Sequence, residues 1–164
     1  RLNSDGTKDT SFNIGTGFDY AVLCITLQPD GKILVGGEFT TFNSNPQKYL
    51  IRLNSDGTKD TSFNIGTGFN SWVQSILVQP DGKILVGGSF TTFNGVSQNY
   101  LIRLNSDGTK DTSFNIGTGF NDYTLCITQQ PDGKILICGE FTTFNGNPQN
   151  RIIRLNSDGT RDSL

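Results

Sequence analysis

The sequence contains no histidine and no methionine, and it has one tryptophan and three cysteines among its 164 residues. Without histidine the chain cannot form a Ser-His or Cys-His nucleophile pair, and it lacks the commonest protein ligand of zinc. The cysteines are Cys24, Cys126 and Cys138. We interpret all three as small buried apolar residues, because free cysteine is among the most buried residue types.

Long hydrophobic runs and runs of like charge are also missing. Thirteen basic and fifteen acidic residues give a formal net charge of −2, without the positive patch typical of a nucleic-acid-binding protein. No apolar stretch approaches the ~20 residues that a membrane-spanning helix needs. We therefore expect neither a nucleic-acid partner nor membrane insertion. Because the sequence starts at Arg1 without methionine, we expect a processed product or an excerpt of a longer chain.

What the chain does contain is a 51-residue unit that occurs three times. The segment 1–18 returns almost letter for letter from Arg52 and from Arg103, and in part from Arg154. The single repeat domain, 1–164, thus comprises units 1–51, 52–102 and 103–153 and a partial fourth unit, 154–164. A fixed period of this length is typical of stacked supersecondary units. Because nearly every side chain occurs in triplicate, few residues remain for an asymmetric active site.

Each unit is predicted to form four antiparallel β-strands. In the first copy, 22–28 and 33–40 are rich in strand-favouring residues and enclose the turn Pro29-Asp30-Gly31-Lys32. A loop over 42–48 leads to a third strand at 49–53, which ends at the tight turn 54–57. A short fourth strand is expected around 61–63. No segment has the apolar period of a helix.

The fold that fits this unit best is an all-β propeller with three four-stranded antiparallel blades. A β-solenoid uses shorter rungs, whereas two tight hairpins within 51 residues suit a propeller blade. The blades are expected at about 22–63, 73–114 and 125–164. Glycine pairs such as Gly36-Gly37 lie within strands and indicate close approach of a neighbouring backbone. The twelve phenylalanines fall at four repeat positions and are expected to fill the space between sheets.

Two motifs resemble a known repeat. The runs Leu-Gln-Pro-Asp-Gly-Lys-Ile-Leu-Val-Gly-Gly (27–37) and Arg-Leu-Asn-Ser-Asp-Gly-Thr-Lys-Asp-Thr-Ser-Phe (52–63) are similar to the delta-sixty repeat, a bacterial propeller-type repeat of large secreted or surface proteins. The resemblance extends over all three copies, although the unit here is shorter. It implies a propeller fold and an extracellular, cell-surface or virion setting. It carries over no catalytic residue.

Two other patterns suggest chemistry, and we interpret both as structural. The turn at 3–9 has the spacing of calcium loops in integrin-type propellers, but Arg1 occupies the place of the first carboxylate ligand. We therefore predict a hairpin turn in which the arginine pairs with a carboxylate, without a metal or other cofactor. Glu38 and Glu140 are interpreted as solvated strand residues rather than as a glycosidase pair.

The copies differ mainly in two windows, which are the entry to the first strand and the loop after the second strand. In an up-and-down blade these connections emerge at the same end. Exposed aromatic rings beside amides and carboxylates suit stacking on sugars or holding a peptide. The candidate ligand-binding residues are Tyr20, Trp72, Tyr123, Asp19, Asn70, Asn121, Gln47, Gln98 and Gln149. The alternative is drift in surface loops.

The sequence therefore predicts a non-enzymatic propeller module for binding or structural assembly. The alternatives are a purely architectural repeat without ligand and a carbohydrate-active hydrolase or lyase. Three blades leave sheet faces uncovered, so we expect a homodimer that closes a six-bladed ring by strand exchange, with segment 7–13 completing the last blade. A compact three-bladed monomer and an excerpt from a longer array remain the alternatives.

Overall fold

The computed structural model describes residues 1–163, which contain fifteen β-strands and no helix. The first blade has β1 (Val22–Leu27), β2 (Ile33–Gly37), β3 (Thr41–Phe42), β4 (Asn45–Pro46) and β5 (Leu50–Leu53). The second has β6 (Val73–Val78), β7 (Ile84–Gly88), β8 (Thr92–Phe93), β9 (Val96–Ser97) and β10 (Leu101–Leu104). The third has β11 (Thr124–Gln129), β12 (Ile135–Gly139), β13 (Thr143–Phe144), β14 (Asn147–Pro148) and β15 (Ile152–Leu155). A membrane-spanning helix is thus absent from this range.

The main sheet of each blade is antiparallel, with three strands in the order β1-β2-β5, β6-β7-β10 or β11-β12-β15. The predicted hairpin turn forms: Gly31 has a φ of 83° and donates its N–H to the carbonyl oxygen of Gln28 at 2.9 Å. Pro29 presets the turn conformation, and the side chain of Asp30 accepts from the N–H of Lys32 at 3.0 Å. The all-β, repeated antiparallel architecture predicted from the sequence is confirmed.

The fourth strand expected around 61–63 is not formed. After the turn at 54–57, only Lys59 pairs with the third strand, through a single bridge to Leu53. The carboxylate of Asp60 then accepts hydrogen bonds from the backbone N–H and the hydroxyl of Ser62, at 3.0 and 2.7 Å. Such local bonds compete with a β-ladder. The prediction was therefore wrong at 61–63. A single β-bridge, instead of a fourth strand, forms the outer edge of each blade.

The loop predicted over 42–48 contains a two-stranded hairpin of its own, β3-β4. At its tip, Asn43 and Ser44 have φ values of 51° and 62°, as a type I′ turn requires. The second and third blades place Asn94-Gly95 and Asn145-Gly146 there. Asn-Gly is a strong hairpin signal, so the prediction of a loop over 42–48 was incomplete. We call this element the loop hairpin.

Successive blades pack through their first strands. β1 contacts β6, β6 contacts β11, and β6 and β11 also lie against β2 and β7 of the preceding blade. A Cβ atom at Gly36 would lie 2.6 Å from Cγ1 of Val73 in the next blade. The predicted close approach of a neighbouring backbone is confirmed at Gly37, where a Cβ atom would lie 2.2 Å from the carbonyl oxygen of Ala21, whereas the close neighbours of Gly36 are side chains. Ten of the twelve phenylalanines are buried, and Phe12 and Phe18 are partly buried.

In the first and second blades a paired arginine anchors the outer turn, residues 54–60 in the first blade and 105–111 in the second, to the following blade. Nε of Arg52 lies 2.7 Å from Oδ2 of Asp60, and both residues are buried. Nη1 of Arg52 donates to the carbonyl oxygen of Ser106 in the second blade at 2.5 Å. The guanidinium carbon lies 4.6 Å from the centre of the Phe63 ring. The predicted pairing of this arginine with a carboxylate is confirmed.

The cysteines are less buried than expected. Cys24 is partly buried, and burial raises its pKa to about 11. Cys126 and Cys138 are exposed and face each other across β11 and β12. The prediction of buried cysteines was therefore wrong for these two, because they lie on a face of the third blade that no other described residue covers. Cys138 occupies the position of Gly36 and Gly87.

Candidate functional site

Three of the sequence-predicted site residues cap the loop hairpin. Oδ1 of Asn70 accepts hydrogen bonds from the backbone N–H groups of Thr91 and Thr92, both at 2.9 Å. Asn121 in the third blade and Asp19 in the first make the same pair of contacts. These side chains therefore tie the first variable window of each blade to the start of the loop hairpin, which carries the second variable window.

Asp19 is the charged member of this set. The hydroxyl of Thr40 and the backbone N–H of Thr41 donate to its carboxylate at 2.6 and 2.8 Å. These bonds lower the pKa of Asp19 to about 2. Its carboxylate is therefore ionised at neutral pH and is already engaged within the blade.

The predicted aromatic residues Tyr20, Trp72 and Tyr123 are all exposed, one on each blade. The ring of Tyr123 meets the ring of Tyr100 edge-on, with 5.8 Å between the ring centres. Tyr100 belongs to the second blade and was not among the candidates. Its φ of 63° directs the chain into the third strand, a conformation that no sequence pattern indicated.

The predicted glutamines lie where the loop hairpin joins the third strand. Nε2 of Gln47 and of Gln98 donates to the carbonyl oxygens of Leu50 and Leu101, both at 2.6 Å. Gln149 makes the same bond to Ile152. In each blade this bond holds the glutamine side chain against the strand that follows.

Two equivalent clefts on the first and second blades bring these glutamines together with residues that the sequence analysis did not select. The first cleft has a volume of about 540 Å³ and the second about 400 Å³. The first is lined by Asn13, Phe42, Asn43, Gln47, Thr58 and Lys59. The second is lined by Asn64, Phe93, Asn94, Gln98, Thr109 and Lys110. Both join the loop hairpin to the outer turn.

Four stretches of the chain match one family model, which is described as a domain of unknown function (DUF5122) beta-propeller. The matched residues are 1–12, 28–63, 79–114 and 130–164, which together exceed half of the chain. The chain belongs to the DUF5122 β-propeller family. The propeller-type repeat predicted from the sequence is thereby confirmed. None of the curated proteins compared with the chain matches it.

The unmatched stretches of this DUF5122 propeller, 13–27, 64–78 and 115–129, contain the first variable window. The candidates Trp72 and Asn70 therefore lie outside the part shared with the family model, whereas Gln98 and Lys110 lie within it. The clefts are thus built largely from matched residues. The exposed aromatic side chains Tyr20, Trp72 and Tyr123 all lie outside the matched stretches.

The DUF5122 clefts carry an unneutralised positive charge. Within residues 1–163 neither Lys59 nor Lys110 forms a salt bridge, whereas Lys32 and Arg52 both contact Asp60. Nζ of Lys110 reaches Oε1 of Gln98 at 2.6 Å. Among these described residues, no group of three or more acidic or cysteine side chains could hold a metal ion. The clefts can therefore offer a ligand hydrogen bonds and one cation each.

Proposed function

We propose that this chain is a non-enzymatic propeller module that binds a ligand where the two variable windows of each blade meet. The observation that carries this proposal is the cap made by Asn70, in the first variable window, on Thr91 and Thr92 at the start of the loop hairpin that carries the second window. Variation between copies is concentrated at this junction, and Trp72 stands exposed beside it. Aromatic rings next to fixed amides suit a sugar or a peptide.

An extracellular, cell-surface or virion-associated setting belongs to the same proposal. It is supported by the resemblance of 27–37 and 52–63 to the delta-sixty repeat of secreted and surface proteins. Detection of the native protein in culture supernatant or on intact cells would support it. Recovery only from the soluble interior of lysed cells would contradict it.

A glycan array tests the binding proposal. The chain should bind a reproducible subset of glycans, and Trp72→Ala should remove that binding because it removes the exposed ring. Leu23→Ala is the matched control, since Leu23 is also exposed but lies within β1. If the wild-type chain binds nothing on glycan and peptide arrays, the second candidate, a purely architectural repeat, is favoured instead.

A second copy of this chain is the partner that we propose for assembly. In the first blade Ile25 is 68 % exposed, whereas its counterpart Ile76 is 8 % exposed because the first blade covers it. On the opposite face of the third blade Ile152 is 57 % exposed, whereas its counterpart Leu101 is fully buried. These faces correspond to the two halves of the interface between blades, so two chains joined head to tail at both ends would form a six-bladed ring.

Light scattering during size-exclusion chromatography tests this partner. The proposal expects a species of twice the 17.9 kDa chain mass that grows with protein concentration. The mass of one chain at every concentration would favour the compact monomer. A series of larger species would indicate open head-to-tail polymers.

A further inference from the structure

The two equivalent clefts suggest a more specific ligand. We propose that each cleft binds one acidic sugar of a polysaccharide, so that the chain grips a polyuronate-type polymer through one site per blade. This inference rests on the proposed function, because the clefts include the second variable window. It adds the chemical class of the ligand and a set of residues outside the exposed aromatic group.

The charge of each cleft favours an anion. Asp60 is shared by Arg52 and Lys32, at 2.7 and 2.9 Å, so these two cations are already paired. Lys59 has no carboxylate partner within residues 1–163. In the second cleft, Lys110 reaches across to Gln98, so its ammonium group is positioned over the site. A carboxylate entering the cleft would supply the missing opposite charge.

The amides of each cleft add hydrogen-bond donors in fixed places. Oδ1 of Asn43 accepts from the N–H of Gly17 at 3.0 Å and from the hydroxyl of Thr16 at 3.2 Å, which fixes the side chain. Oδ1 of Asn13 likewise accepts from Gly15 at 2.9 Å. The Nδ2 groups of both asparagines have no acceptor among the described residues. Two amide groups and one ammonium group therefore offer donors, as a carboxylate flanked by hydroxyls requires.

The size of the clefts and their repetition favour a sugar polymer. Volumes of about 540 and 400 Å³ fall in the usual range of small-ligand sites and would hold one or two sugar rings. The third blade has Gln149 and Arg161 at the positions of Gln98 and Lys110, so the cation recurs. A polymer with regularly spaced carboxylates can engage several such sites at once, which raises its apparent affinity.

An acidic peptide is the less favoured occupant. Peptides are commonly held by main-chain pairing with an open strand edge or by apolar pockets for side chains. Phe42 and Phe93 line the clefts but are themselves buried, so the exposed apolar lining is limited to one side chain per cleft, Pro46 in the first and Val96 in the second. The polar groups that remain are side-chain amides, a hydroxyl and an ammonium group, which suit sugar hydroxyls and a carboxylate.

Isothermal titration of the full chain tests the proposal with three probes: oligogalacturonate, neutral dextran oligomers of the same length, and polyglutamate. Oligogalacturonate should bind, and the double variant Lys59→Gln/Lys110→Gln should weaken its affinity about tenfold or more, since hydrogen bonds to charged groups are lost. Lys8→Gln is the matched control, because Lys8 has the same turn sequence but lines neither cleft. It should retain the wild-type affinity, and Lys59→Arg/Lys110→Arg should restore most of it.

Three results would overturn the inference. The first is that dextran binds as tightly as oligogalacturonate, and the second is that the double glutamine variant binds oligogalacturonate as tightly as the wild type does. The third is that polyglutamate binds more tightly than oligogalacturonate, which would identify an acidic peptide as the ligand instead. Failure here is distinguishable from failure of the proposed function. If Trp72→Ala removes glycan binding while Lys59→Gln/Lys110→Gln leaves it intact, the binding function stands and the acidic-sugar clefts are wrong.

Discussion

Arg103 donates a hydrogen bond from Nη1 to the carbonyl oxygen of Ser157 at 2.6 Å, across 54 residues of chain. Its Nε lies 2.7 Å from Asp111, and its guanidinium carbon lies 4.6 Å from the centre of the Phe114 ring. One buried cation therefore neutralises a carboxylate of its own blade and caps a turn of the next. The contact couples the stability of neighbouring blades.

Arg103→Ala is expected to lower the free energy of unfolding by about 3 kcal/mol, because a buried carboxylate loses its closest partner. Arg154→Ala is the matched control. Arg154 makes the same pair with Asp162, but its side chain is 30 % exposed, against 7 % for Arg103. Its loss should cost less than half as much. Urea unfolding measures both, and equal losses would contradict the role assigned to burial.

Acid is expected to destabilise the chain through Asp60 and Asp111. Burial alone would raise the pKa of Asp60, but hydrogen bonds from Ser62, Lys32 and Arg52 hold that pKa well below its usual value of 3.8. The pKa of Asp111 is lowered in the same way. The unfolded chain therefore takes up more protons as the pH falls, so this stabilisation is complete above about pH 4 and is lost below it.

Melting temperatures between about pH 5 and pH 2 measure this effect. The double variant Asp60→Asn/Asp111→Asn should melt lower than the wild type at neutral pH and should show a shallower decline in acid. A decline as steep as that of the wild type would mean that other carboxylates dominate.

Calcium is expected to leave the melting temperature unchanged. Arg52 occupies the position of the first calcium ligand and pairs with Asp60. A site filled at about 100 times its dissociation constant would add about 2.7 kcal/mol, so even one such site would be detected. Melting curves in millimolar calcium and in chelator should coincide. A rise of several degrees with calcium would show that the cation displaces the arginine.

Gly87→Cys is expected to destabilise the chain, although Cys138 holds the equivalent position on the exposed face of the third blade. A Cβ atom at Gly87 would lie 2.5 Å from Oγ1 of Thr124 and 2.9 Å from Cδ1 of Ile127 in the third blade. Overpacking of this kind costs about 1–3 kcal/mol. Cys138→Gly should cost no more than about 1 kcal/mol, the usual penalty of glycine in a strand. Equal losses in denaturant unfolding would contradict this difference.

Cys138→Gly is also expected to strengthen self-association. At the junctions between blades within one chain, Gly36 faces Ile76 and Gly87 faces Ile127. In the proposed ring, Cys138 would stand in the place of these glycines and would face Ile25 of a second copy. Removing that side chain should lower the concentration at which dimers form in sedimentation experiments. Ile25→Asp should keep the chain monomeric in either background, whereas Val96→Asp, an exposed control in the loop hairpin, should not. Unchanged association in Cys138→Gly would reject the head-to-tail geometry.

Local signals predicted most of the fold. The turn at 29–32 and the paired glycines at 36 and 37 identified the hairpins and the faces of close approach. The strand expected at 61–63 failed because the carboxylate of Asp60 competes for the backbone N–H of Ser62. Cys138 is exposed because it lies on the face of the third blade that no other blade covers. The residue type alone does not indicate which face of a blade is covered.

The candidate site was predicted only in part. The cap that Asn70 places on Thr91 spans 21 residues, and its geometry depends on a loop hairpin that was not recognised. Lys59 and Lys110 were missed for a different reason. They are identical in the two copies, so variation between copies does not mark them, and they acquire their setting from the fold around them.

The contacts from blade to blade recur at fixed separations along the chain. The backbone N–H groups of Asn13, Asn64 and Asn115 donate to the carbonyl oxygens of Asp56, Asp107 and Asp158, respectively. In the same way, Arg52 and Arg103 donate to the carbonyl oxygens of Ser106 and Ser157. An in-frame gain or loss of one whole unit by unequal recombination would therefore join surfaces that already fit each other. The number of units can change in a single genetic step, while the shape of each junction is inherited intact.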